Sequence, residues 1–205
     1  MRLRHIKNAD IDVKKSKYYL DSNNLNIKDI FKNNNPVHLE IGMGKGDFII
    51  GMALKYPDIN FIGLEKFDSV LIKACNKLEN LDIPNLRLMW DDAENIDNLF
   101  NHEIDTLYLN FSDPWPKKKH AKRRLTNEFF LKKYDSIFKN GDNIIMKTDN
   151  RKLFEYSLKS FTDYGYKIED ISLDLHNDDI DNVETEYERK FVAKGNVIYK
   201  VNVKK

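Results

Sequence analysis

From about Pro36 onward, apolar runs of strand length take turns with segments whose apolar residues recur at helical spacing. VHLEIG reads as a buried strand, and a helix follows from about Gly46 to Lys55, ended by Tyr56–Pro57. NFIGLE is the next strand. The segment DSVLIKACNKLENL then carries Val70, Leu71, Ala74, Leu78 and Leu81 at helical spacing. NLRLMW and IDTLYLNF give a third and a fourth strand, and SDPWP breaks the chain just after the latter. LTNEFFLKKYDSIFK predicts a helix closed at Asn140–Gly141, NIIMKT a fifth strand, and RKLFEYSLKSFTDYG a helix that ends on glycine. YKIEDISLDL and NVIYKVNV alternate like the strands of a terminal hairpin, interrupted by an acidic loop.

Strand and helix alternating this regularly imply parallel strands joined by crossovers. The expected fold is α/β: a doubly wound, mostly parallel, Rossmann-like sheet with a C-terminal antiparallel strand. One domain spans residues 35–205. Residues 1–34 are polar and rich in lysine and asparagine, and predict an arm whose one amphipathic piece is LNIKDIF.

Composition narrows the class. A chain of 205 residues suits one domain with a sizeable core. No apolar run approaches the roughly 20 residues of a bilayer span, and the N-terminus lacks an apolar signal region. Cys75 is the only cysteine, so an internal disulfide is excluded and a packing role on a helix is expected. None of the five histidines forms a zinc cluster with it, so no metal is expected. Together these features predict a cytoplasmic protein. A net charge of +1 excludes a uniformly basic nucleic-acid binder, but the charge is unevenly distributed. Six basic residues and His120 crowd into residues 116–124, and acids bunch over residues 174–188.

In EIGMGKG the glycines are Gly42, Gly44 and Gly46, and Asp47 occupies the third glycine position of a dinucleotide fingerprint. A carboxylate there disfavours a docked phosphate, and the phosphate-loop spacing is absent. A cofactor with positive centres and no phosphates fits better, which points to S-adenosylmethionine rather than NAD. Glu40 ends the first strand and faces the methionine end of such a ligand. Glu65 ends the second, where an acid accepts from ribose hydroxyls, and Asp91 and Asp92 follow the third, where the adenine amine is met. All of them fall on the carboxyl edge of the sheet.

LYLNFSDPWPKKKHAKRRL carries the acceptor chemistry. Asp113 stands at the end of the fourth strand in a turn stiffened by Pro114 and Pro116, with Trp115 between them. An acid beside a flat aromatic surface suits a nucleobase, and the basic run that follows can meet phosphates.

EIGMGKG, FSDPWPKKKHAKRR, KTDN and TEYE, with their spacing, resemble the motifs of bacterial tRNA (guanine-N7)-methyltransferases from about residue 35 to the C-terminus. The resemblance implies a class I S-adenosylmethionine-dependent enzyme that methylates N7 of a guanosine in the tRNA variable loop, position 46. It implies a single-chain enzyme without an obligatory protein partner, a homodimer being left open. By resemblance, Glu40, Gly42, Gly44, Gly46, Glu65, Asp92 and Asp113 line the cofactor site, and Asp113 is the catalytic residue. Lys117, Asp149, Thr185, Glu186, Tyr187 and Glu188 contact the guanosine. Lys119, His120, Ala121, Lys122, Arg123 and Arg124 form the tRNA-contacting strip. Asp92 is preferred to Asp91 because it directly precedes Ala93, whereas Lys66 stands where an apolar residue is expected.

Guanine N7 carries a lone pair and no proton, so Asp113 is expected to orient the acceptor and stabilise charge rather than take a proton. Asp149 or Glu188 would accept from the guanine N1–H and exocyclic amine. Two other readings stand beside this one. An amino-group methyltransferase on RNA or DNA uses an Asp-Pro-Pro-aromatic turn, and a non-catalytic RNA-binding module would keep the fold without turnover.

Overall fold

The computed structural model describes residues 5–22 and 26–205. Among them eight strands form one sheet: β1 (Tyr19–Leu20), β2 (Val37–Ile41), β3 (Asn60–Glu65), β4 (Leu86–Trp90), β5 (Thr106–Asn110), β6 (Asn143–Thr148), β7 (Lys167–Ser172) and β8 (Tyr199–Lys204). Their spatial order is β1-β4-β3-β2-β5-β6-β8-β7. Every neighbouring pair is parallel except those of β8, which runs antiparallel to both β6 and β7. The mostly parallel α/β sheet and its reversed C-terminal strand are those expected from the sequence.

The central strands are mostly apolar because both faces of the sheet are covered; all of β3 and all of β5 are buried. One face packs on α3 (Asp47–Lys55) and α4 (Asp68–Leu78), through Phe48, Ile49, Leu71 and Leu78. The other packs on α6 (Glu128–Tyr134) and α7 (Arg151–Asp163), through Phe130, Tyr134, Phe154 and Phe161. In the N-terminal stretch, α1 (Ala9–Val13) packs on α4, and β1 adds a parallel strand beside β4. Of LNIKDIF, Leu25 lies outside the described residues, and Ile27 and Phe31 are the buried positions of α2 (Ile27–Phe31). Among the described residues no helix is long and apolar enough to cross a membrane.

Three elements differ from the sequence pattern. The helix expected to reach Asn140 stops at Tyr134, because Glu103, Ile104 and Lys139 exchange backbone hydrogen bonds with Ile137 and Ile104 and draw the chain toward the foot of β5. A 3-10 turn (Ala93–Asn95) and α5 (Ile96–Leu99) follow β4. The acidic loop holds α8 (Glu186–Val192), which starts at a complete capping box of Thr185 and Glu188.

Strand order reverses between β2 and β5, which are neighbours although β3 and β4 intervene in sequence. At such a reversal the connections leave toward opposite faces, and a crevice opens beyond the carboxyl ends of the strands.

Candidate active site

The turn after β2 is held by its own backbone. Gly42, Gly44 and Gly46 take φ of +74°, +60° and +79°, the left-handed region that glycine enters without steric cost. The Gly42 and Met43 N–H groups donate to the Leu64 carbonyl at 2.8 and 3.1 Å. Glu65 completes the tie: Oε2 accepts from the Gly44 N–H at 3.0 Å and Oε1 from the Phe67 N–H at 3.0 Å. Burial pushes this carboxyl above its ordinary range, against the pull of those backbone donors. A side chain placed at Gly42 or Gly44 would meet nothing within 4 Å, so the turn presents bare backbone to an open space.

Beneath the turn, Glu40 is 1% exposed. Its Oε1 accepts from Asn110 Nδ2 at 2.8 Å, while its Oε2 and the Asn110 Oδ1 are buried without a hydrogen-bond partner. Burial pushes the Glu40 carboxyl up to about 7, although the Asn110 bond and the Lys147 charge both favour ionisation. Two unpaired acceptors on one bonded pair are costly unless a donor meets them.

A cavity of about 650 Å³ opens over this edge, and its wall includes Gly42, Glu65, Asp92, Asp113, Trp115 and Arg123. That size suits a nucleoside-like molecule. Asp92 caps the 3-10 turn through the Glu94 N–H at 3.1 Å and pairs with Lys66 Nζ at 2.6 Å. Partial burial would raise its pKa, but the Lys66 bond and the Glu94 N–H hold it below the usual carboxylate range. Asp91 is turned instead to the Asn95 amide at 2.8 Å. Glu40, Lys117, Asp149 and residues 185–188 are not among the lining residues.

The DPWP turn is bent sharply at both ends. Phe111 has φ +51° and Trp115 +40°, values that cost bulky residues about 1–3 kcal/mol each. Asp113 between them is exposed at the cavity wall. Arg124 closes the turn: its Nε donates to the Pro114 carbonyl and its Nη2 to the Trp115 carbonyl, both at 3.0 Å. Its guanidinium lies 4.2 Å from the Tyr156 ring centroid on α7. Arg123 covers the Trp115 ring at 4.9 Å, and His120 meets that ring edge-on at 5.7 Å. Lys117, Lys119 and Lys122 are exposed around a 3-10 segment (Lys118–Arg123), with Ala121 half-buried among them.

α8 is fastened across the glycine turn. Lys45 pairs with Glu186 at 2.7 Å, Arg189 with Asp47 at 2.9 Å, and Lys77 also holds Asp47. Asp47, whose charge disfavours a phosphate at this helix start, thus serves as an anchor. Burial would raise its pKa, but Lys77 and Arg189 hold it below the usual range. Underneath, Lys147 and Glu188 form a buried ion pair at 2.6 Å, 3% and 0% exposed. Lys147 Nζ also donates to Asn182 Oδ1 and the Val183 carbonyl, and Glu188 Oε1 meets the Asn182 amide at 2.7 Å and His176 at 3.0 Å. Burial alone would raise the Glu188 carboxyl; the Lys147 charge and these donors bring it below its ordinary value. Tyr187 lies against Phe111 at 5.0 Å and stacks on Phe191 at 4.0 Å. Asp149 Oδ2 accepts from the Asn196 amide at 3.3 Å and, at the outer limit of a hydrogen bond, from the Tyr187 hydroxyl at 3.5 Å.

The chain's likenesses agree with one another. Residues 34–201 match the family model described as putative methyltransferase. A tRNA (guanine-N(7)-)-methyltransferase of Bacillus licheniformis is 49% identical over 207 residues, covering 98% of this chain and 97% of that protein. Its counterpart in Bacillus subtilis (strain 168) is 47% identical over 99% and 98% of the two chains. The chain belongs to the tRNA (guanine-N(7)-)-methyltransferase family. Among solved structures, an antibiotic-related methyltransferase superposes with a TM-score of 0.68 at 17% identity, covering 89% of this chain and 94% of that one. The 16S rRNA methyltransferase KamB gives 0.66 at 15%, over 86% and 91%. At such identities the likeness is one of fold.

Within this methyltransferase domain the structure brings Gly42, Glu65, Asp92, Asp113 and Arg123 to one cavity. It sets Glu188 apart, buried with both oxygens engaged, and it turns Arg124 onto the DPWP backbone. Asn110, Lys147 and Arg189 escaped sequence reasoning. The signal for the first two was a polar residue at or next to the carboxyl end of each of two largely apolar strands, Asn110 in LYLN and Lys147 in NIIMKT.

Proposed function

We propose that this chain transfers the methyl group of S-adenosylmethionine to N7 of guanosine in the tRNA variable loop, position 46. The names of its relatives point to the reaction. The observation that carries the site is the convergence of Gly42, Glu65 and Asp92 with Asp113, Trp115 and Arg123 on one cavity. The residues present fit the cofactor: bare glycine backbone borders open space, and the Glu40–Asn110 pair offers two unpaired buried acceptors. When bound, S-adenosylmethionine supplies an electrophilic methyl on a positively charged sulfur. Glu65 would hold the ribose, Asp92 the adenine side, and Glu40 with Asn110 the amine of the methionine end.

Guanine N7 has a free lone pair, so the chain needs no base for it. Its residues need to align the purine and favour the positive charge that purine acquires. Asp113 is suited to this by its exposed carboxylate at the cavity wall, on a backbone fixed by Pro114, Pro116 and Arg124. Asp149, whose two hydrogen bonds both fall on Oδ2, retains capacity to accept from the guanine N1–H and exocyclic amine. Glu188 is instead committed to Lys147, and its part is to hold α8 in place. Lys119 and Lys122 would face the tRNA backbone, beside Arg123 and His120 at Trp115, and Lys117 the guanosine. Thr185, Glu186 and Tyr187 frame the guanosine side. All these groups come from one chain, and we place the enzyme with its tRNA in the cytoplasm.

The test is methyl transfer from labelled cofactor to unmodified tRNA by the wild type and Asp113→Asn. Removing the carboxylate charge is expected to cut kcat on the order of 100-fold, with tRNA affinity unchanged. A wild type that transfers nothing, or a fully active variant, would overturn the assignment.

A further inference from the structure

Arg124 belongs by sequence to the basic run, yet its geometry differs from that of its neighbours. Lys119 and Lys122 are exposed, and Arg123 lies over an aromatic ring at the cavity wall. Arg124 is half-buried, spends two donors on the Pro114 and Trp115 carbonyls, and lays its guanidinium on Tyr156. Tyr156 is itself fixed, because its hydroxyl accepts from Asn127 Nδ2 at 2.7 Å, and Asn127 is the N-cap of α6. A continuous chain of interactions thus runs from α6 and α7 through Tyr156 and Arg124 to the two carbonyls that follow Asp113.

That turn needs a clamp. Trp115 holds φ +40° directly before Pro116, and the residue before a proline is already confined to extended backbone. Pro114 and Pro116 supply no N–H to tie the turn through its own backbone, and Arg124 donates to the two carbonyls instead. A planar fork that spans two acceptors while stacking on an aromatic ring is specific to arginine; lysine offers a single point charge.

We infer that Arg124 is a positioning residue for the methyl transfer, holding the Asp113 carboxylate and the Trp115 indole at the cavity wall rather than binding an RNA phosphate. The inference rests on the reaction proposed above. It divides the basic run into a strip that meets RNA and a terminal arginine that shapes the site.

The test compares Arg124→Lys, Tyr156→Ala and Lys119→Gln in the full chain. Trp90→Phe as a common background leaves Trp115 the only tryptophan. Arg124→Lys is expected to lower kcat on the order of 10- to 100-fold at saturating tRNA, the cost of a displaced reacting group. KM for tRNA and the salt dependence of tRNA binding stay as in the background protein, and Trp115 emission moves to longer wavelength as the turn loosens. Tyr156→Ala, which removes the stacking surface and keeps the charge, gives the same kcat-against-KM split even if the lysine variant folds poorly. Lys119→Gln, a change within the RNA-facing strip, shows the opposite pattern, with KM for tRNA raised, the salt slope reduced and Trp115 emission unmoved. Weaker tRNA binding and a slope lowered by about one neutralised phosphate in a companion Arg124→Gln, which unlike the lysine variant loses the charge, with kcat intact, would make Arg124 an RNA ligand and overturn the inference. Unchanged kcat together with unchanged Trp115 emission would overturn it equally. Emission and salt slope need no turnover, so they test the clamp separately from the reaction.

Discussion

Glu40 is a carboxyl that the fold holds at a cost, and replacing it by glutamine should reveal how much. Its ordinary value of 4.5 is raised to about 7 by full burial, so between those pH values the folded chain keeps a proton that the unfolded chain has released. Stability therefore falls as pH rises through that window, by about 3 kcal/mol in total, and stays lowered above it. Glutamine keeps the shape and the carbonyl that accepts from Asn110, removes the unpaired carboxylate oxygen, and carries no charge to bury. Measured by thermal unfolding without cofactor, Glu40→Gln should gain roughly 6–12 °C over the wild type at pH 8, given 2–4 °C per kcal/mol for a chain of this size. At pH 5 the gain should shrink to under about 1 kcal/mol. The same variant should bind S-adenosylmethionine more weakly, since a stabilising change at a ligand site commonly sacrifices function. If it is instead destabilised equally at pH 5 and pH 8, Glu40 is a paired structural acid and the reasoning fails.

Glu188 has the opposite sign. Its carboxyl is held below its ordinary value, so the stability it contributes is present above that value and lost as pH falls through the folded one. Glu188→Ala leaves Lys147 charged and buried, which should cost about 3–5 kcal/mol and be visible in urea unfolding, while Lys147→Met with Glu188→Leu should recover most of the loss. A near-neutral single variant would show that the pair is not ionised. Converting Lys119 and Lys122 to glutamine should lower the slope of log affinity for tRNA against log salt by about 0.7–0.9 for each phosphate no longer neutralised. An unchanged slope would remove this strip from the RNA surface.

The sheet was legible because strands buried on both faces are mostly apolar and take polar residues chiefly at their ends, so NFIGLE and LYLN stand out. The cavity acids were legible for a related reason: an open α/β sheet gathers its strand ends, so Glu65, Asp92 and Asp113 need only follow their strands to meet. β1 escaped because two residues carry no period, and the shortened α6 because a tertiary bridge to Ile104 overrode a helical pattern. The helix in the acidic loop escaped although T-E-Y-E is a capping box, because so charge-rich a stretch reads as a loop. Those charges are in fact anchors, paired with Lys45 and Lys147. Arg124 marks the limit of linear reading. Nothing in KRR separates an arginine that faces RNA from one folded back onto Pro114, since only the path of the 3-10 segment decides it.

The most direct test asks where the methyl group goes. Unmodified tRNA incubated with methyl-labelled cofactor and the wild-type chain would be digested to nucleosides, and the site located by strand scission at N7-methylguanosine after borohydride and aniline. Label confined to N7 of a single variable-loop guanosine, at position 46, is the expected result. Label on an exocyclic amine, or bound tRNA with no label, would contradict the proposal that the strand-end acids serve a purine that becomes positively charged.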